Sequence, residues 1–133
     1  MANIGVIGAG SWGIALSALL SNNGHDVKVW SIIEEEIAML NKHHEHIDKL
    51  PGVILSEKIT FTTDLKEAVE GMDLLVMAVP SPFVRKTAVS LKPLVSDGQI
   101  IVNVAKGIEE STLMTLSQVI EEEVPQAEVT VLS

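Results

Sequence analysis

Apolar and polar residues alternate along this chain in two rhythms. Short apolar blocks recur at Ile4 to Ile7, Val27 to Trp30, Ile59 to Thr62, Leu74 to Val79, Ile100 to Val104 and Val129 to Leu132. Several are apolar at consecutive positions, so both faces need cover, as in a parallel sheet packed between helices. Between them, roughly over 11 to 22, 32 to 46, 64 to 70, 82 to 95 and 112 to 124, the pattern is amphipathic and predicts helices.

The punctuation agrees with this division. Asn22-Asn23-Gly24 stops the first helix, and Ser31 with Glu34 spells a capping box for the second. Thr63 or Asp64, followed by Glu67, opens the third, and Ser111 or Thr112 the last. Asp73, at the start of an element, reads as a cap. Lys49 to Glu57, with Pro51-Gly52, is the one long connection. Six strands with helical crossovers predict an α/β fold, a doubly wound parallel sheet ordered 3-2-1-4-5-6. With 133 residues, 47% of them apolar, one core is affordable and a second is not, so residues 1–133 read as a single domain.

The first strand runs into GVIGAGSWG, three of whose glycines follow the spacing G-x-G-x-x-G. Gly8 ends the strand in a tight turn, Gly10 lets a pyrophosphate approach the backbone, and Gly13 lets the helix pack closely on the sheet. The helix start offers unpaired N–H groups and a positive dipole end to an anion, and Ser11 adds a hydroxyl donor. The sheet is therefore Rossmann-like, and residues 1–133 read as a dinucleotide-binding domain. Trp12 either caps the sheet edge or meets the cofactor directly. Ligands in such sheets bind beyond the carboxyl ends of the strands, between the first and fourth. Two further stretches reach that rim. In AVPSPF, Pro80 ends the fourth strand and presents Ser81 and Phe83 beside the cofactor; in VAKGIEEST, Lys106 precedes a flexible Gly107.

Charge narrows the partners. The formal net charge is −9, and no basic patch interrupts it, which argues against nucleic acid and anionic membranes. No cysteine is present, which excludes disulfides, thiolate metal sites and a cysteine nucleophile. The apolar stretch over 4 to 20 lacks a preceding positive residue and is broken by glycines, and no run approaches the roughly 18 apolar residues of a membrane span. A cytoplasmic protein is the expectation. In KHHEH, His43 and His46 stand three apart with Glu45 near, but nothing supplies a third ligand, so this reads as a solvated helix end and no metal site is expected. Glu34, Glu35 and Glu36 complement a helix dipole, and Glu121, Glu122 and Glu123 read as solvated.

These segments, taken in order, resemble the N-terminal domain of NAD(P)-dependent sn-glycerol-3-phosphate dehydrogenase. The likeness rests on GAGSWG at 8 to 13, NGHDVKVW at 23 to 30, LPG at 50 to 52, AVPS with Arg85, KGIE at 106 to 109 and the terminal VLS. It implies reversible reduction of dihydroxyacetone phosphate to sn-glycerol 3-phosphate, a step toward phospholipid backbones. It implies cofactor contact at Ser11 and Trp12, and contact with both cofactor and substrate at Lys106. The cofactor-binding set is then Gly8, Gly10, Ser11, Trp12, Gly13, Ser31, Pro80, Phe83 and Lys106. The family continues past VLS with a helical C-terminal domain that carries the general-base lysine, so that group is expected beyond Ser133 and this chain alone is expected to be inactive. A homodimer of the full-length enzyme stays open. The family usually carries an arginine shortly after the second strand, where this chain reads Trp30-Ser31-Ile32-Ile33. Without a cation for a 2′-phosphate, a modest preference for NAD over NADP, on the order of tenfold, is expected. The competing class is a regulatory nucleotide-sensing domain, which would close the second strand with an acid for the ribose hydroxyls.

Overall fold

The computed structural model describes residues 1–132. Six strands, β1 (Asn3–Ile7), β2 (Asp26–Trp30), β3 (Thr60–Thr62), β4 (Leu74–Met77), β5 (Ile100–Asn103) and β6 (Glu128–Val131), alternate with five helices. The helices are α1 (Ser11–Asn22), α2 (Glu34–His43), α3 (Leu65–Val69), α4 (Val84–Leu91) and α5 (Leu116–Glu123). All strand pairs are parallel, in the order β3-β2-β1-β4-β5-β6 that the sequence predicts. In β1 and β4 successive side chains leave opposite faces. Ile7, Leu75 and Met77 therefore pack with Ala88 and Leu91 of α4 and Ile120 of α5. Ile4, Val6 and Val76 pack with Ile14 of α1 and Leu40 of α2. Both faces are covered, which is why these strands can be apolar throughout.

Several element ends differ from expectation. Asp64 does cap α3, accepting from the Lys66 N–H. The Ser31–Glu34 capping box does not form: α2 starts after Ile33 with no side-chain cap, and the Ser31 hydroxyl instead donates to Glu36. Ser31 lies two residues ahead of the N-cap, Ile33, and its oxygen accepts from the Ile33 N–H rather than from within the helix. The last helix opens at Thr115, not at Ser111 or Thr112, through a capping box with Gln118. Residues ahead of it form a turn closed by an antiparallel bridge from Ile108 to Thr115. The stretch over 82 to 95 splits into α4 flanked by two short 3₁₀ turns, Ser81–Phe83 and Lys92–Leu94, each with a proline near its start. Asp73 does accept a backbone N–H, that of Asn3 at the head of β1. Among the described residues no helix is long and apolar enough to cross a membrane.

Candidate functional site

The loop from β1 to α1 shows which glycines the fold itself demands. Gly8 has φ +125°, and a Cβ there would lie 2.7 Å from the Ala78 carbonyl oxygen. A Cβ on Gly13 would run into the Gly8 carbonyl. Gly10 differs, because its φ of −74° and ψ of −176° suit any residue, and nothing in the chain lies within 4 Å of an added Cβ. Neither backbone strain nor crowding within the chain calls for glycine at this position. A cradle that a side chain would fill suits a bound pyrophosphate, and α1 starts there with no side-chain cap and no acidic residue in its first turn.

The other expected contacts are distributed around this loop. Trp12 is 52% exposed, whereas Trp30 is buried and its Nε1–H donates to the Thr63 carbonyl. Ser11 is exposed, with its hydroxyl donating to the Lys49 carbonyl at 2.8 Å, which ties the long connection to the start of α1. Pro80 and Phe83 are exposed beyond β4, beside the loop that Gly8 contacts. Lys106 is exposed beyond β5 and lines a cleft of about 320 Å³ with Asn103, Gly107, Val131 and Leu132. No carboxylate among the described residues pairs with its ammonium. Asn103, which the sequence did not single out, is buried and fixes the turn into Lys106. Its amide accepts from the Ala105 N–H and donates to the Ala105 carbonyl and to Ser117. A larger cleft, about 530 Å³ between Lys66, Asp73, Asp97 and Gln99, lies at the amino ends of β4 and β5, away from the glycine loop.

Ser31 stands at the end of β2 but faces inward. Its hydroxyl donates to Glu36 Oε1 at 2.7 Å, while Glu36 Oε2 meets His46 Nε2 at 2.7 Å and the Lys49 ammonium at 3.0 Å. The Lys49 N–H donates to His46 Nδ1, which fixes the ring proton on Nε2 and makes that nitrogen the donor to Glu36. Burial pushes the Glu36 carboxyl up, but hydrogen bonds from His46, Ser31 and Lys49 outweigh it and hold the group below its ordinary value. His46 is thus no solvated helix end: α2 stops at a left-handed His44, and His46 turns back, 2% exposed, onto the first turn of the helix. Among the described residues no group of three or more metal-ligating side chains converges.

The acidic run at the end of α5 is also not merely solvated. Arg85, on α4, places Nε and Nη2 on the two oxygens of Glu109 at 2.7 and 2.9 Å, and Nη1 on Glu122 at 2.7 Å and on Glu123. The guanidinium fork, helped by the Thr112 hydroxyl, holds the Glu109 carboxyl down to about 2. These partners are 24 to 38 residues apart, beyond any local pattern.

A family model described as NAD-dependent glycerol-3-phosphate dehydrogenase N-terminus matches residues 3–133. A relative from Agathobacter rectalis, named glycerol-3-phosphate dehydrogenase, NAD(P)+, is 62% identical over 132 residues, covering 99% of this chain and 39% of its own. One of the same name from Fusobacterium nucleatum is 49% identical, covering 95% and 38%. The crystal structure of glycerol-3-phosphate dehydrogenase from Coxiella burnetii is 28% identical with a TM-score of 0.91, covering 98% of this chain and 40% of that one. The chain thus spans about two fifths of the length of the curated relatives it matches. The regulatory alternative is not favoured by any of these likenesses. With a family model matched over nearly its whole length and a sheet superposable on a solved dehydrogenase, the chain belongs to the family of NAD-dependent glycerol-3-phosphate dehydrogenase N-termini.

Proposed function

We propose that this chain is the cofactor-binding domain of an enzyme that interconverts dihydroxyacetone phosphate and sn-glycerol 3-phosphate. The observation that carries this reading is Gly10, a glycine the fold does not need and a pyrophosphate does. The bound nicotinamide would supply or accept the hydride. The open N–H groups at the start of α1 hold the pyrophosphate, Trp12, Pro80 and Phe83 form an apolar wall beside it, and Lys106 supplies a counter-charge for the anionic substrate. The general base belongs to a helical substrate domain elsewhere in the enzyme, so the chain alone binds cofactor without turnover. Losing a proton-transfer group alone removes a factor of about 10² to 10⁴.

NAD is preferred over NADP by about tenfold. Supporting this, Ile32 and Ile33 are exposed where a phosphate-binding cation would stand, the Ser31 hydroxyl is committed to Glu36, and the neighbouring Lys49 ammonium is shared with the same carboxylate. Titration of both reduced cofactors, followed by quenching of Trp12, tests the reading. NADH should bind more tightly than NADPH, and Gly10→Val should lose both without lowering the melting temperature. Retained binding in that variant, or none in the parent chain, overturns it.

A further inference from the structure

Asn103 fixes the start of the Lys106 loop and Met114 packs against the core at its end, but most of the residues between them are exposed. Gly107 has φ +110°, Ile108 and Leu113 are exposed, and Leu113 itself has φ +61°. The turn is closed on itself by the Glu109 N–H donating to the Met114 carbonyl and the Leu113 N–H donating to the Glu109 carbonyl. Such internal bonds shape the turn without attaching it to the sheet. The ionic attachment is the paired hydrogen bond from Arg85 to Glu109, three residues after Lys106. A guanidinium gripping both carboxylate oxygens fixes direction as well as distance, which a single-point ammonium cannot do. Arg85 sits at the start of α4, directly after the Pro80 to Phe83 turn. One side chain therefore registers the Lys106 loop against the other half of the rim.

We infer that Arg85 is a positioning residue for Lys106, acting through its two-oxygen grip on Glu109. The inference rests on the proposed contact between Lys106 and the cofactor. Its bonds to Glu122 and Glu123 join α4 to α5 and are separable from this role.

A double-mutant cycle on NADH binding, with amide hydrogen exchange on the same proteins, tests it. Arg85→Met and Lys106→Ala should each weaken NADH by about tenfold, and the double variant should bind no more weakly than Lys106→Ala alone, because the first effect passes through the second residue. Arg85→Met should also speed exchange of amides 107–115, with Arg85→Lys intermediate, while Lys106→Ala leaves exchange unchanged. Should Arg85→Met fail to fold, Glu109→Gln cuts the same grip and must reproduce both effects, while the pair Glu122→Gln, Glu123→Gln must not. Additive losses in the cycle, unchanged exchange over 107–115, or equal damage from the α5 pair would each overturn the inference. If the parent chain does not bind NADH, the proposed function fails on its own, and exchange in Glu109→Gln still decides whether Arg85 holds the loop.

Discussion

Glu36 and Glu109 each collect several donors at opposite ends of the same rim, but in different surroundings. The Glu36 side chain is 8% exposed and its partner His46 is 2% exposed. Around Arg85 water reaches every member, with Glu122 more than half exposed. Removing an acceptor from the first cluster strands donors in a dry interior, whereas in the second, water replaces the lost partner. Similar hydrogen-bond lengths thus describe a core element at one end and an adjustable surface clasp at the other.

The largest effect should come from Glu36→Ala. It leaves the His46 Nε2–H and the Ser31 hydroxyl buried without an acceptor, and two such groups cost about 3 kcal/mol together. Urea unfolding measures this, and a loss no larger than that of an exposed pair would erase the distinction between the clusters. Acid should act next. The Glu109 carboxyl, held to about 2 from 4.5, contributes stability that is fully present above 4.5 and lost as pH falls toward 2. Melting temperatures of the parent and Glu109→Gln should therefore differ at neutral pH and converge near pH 2. Glu122→Gln should do least, within about 0.5 kcal/mol by the same urea titration, because its carboxylate is largely in water.

The sheet was legible in the sequence because β1, β4 and β5 are apolar at nearly every position and their separators are amphipathic. The glycine loop was legible because its spacing is tied to one backbone geometry. The clusters were not. A second helix continued to residue 46 would carry His46 about 15 Å along its axis from Glu36. The left-handed turn at His44 instead brings the two within 2.7 Å, and no local rule marks a histidine in KHHEH as the residue that turns inward. Arg85 meets Glu122 and Glu123 because α4 and α5 pack on the same face of the sheet, and meets Glu109 because the loop after β5 passes the start of α4. The false start at Thr112 came from a hydroxyl that bonds Glu109 rather than a helix end.

The central place of β1 has a consequence for how the chain is made. Ile4 pairs with Val27 on one edge and with Leu74 on the other. The second span is about three times as long, which adds about 1 kcal/mol of loop-closure entropy. On the ribosome, where about 5 to 20 residues are added each second, β1 and β2 can associate seconds before β4 exists. During that interval the strand destined for the middle of the sheet is an open edge, and Val6 and Ile7 lack the β4 side of their cover. β1 is flanked on both edges only once β4 has been added.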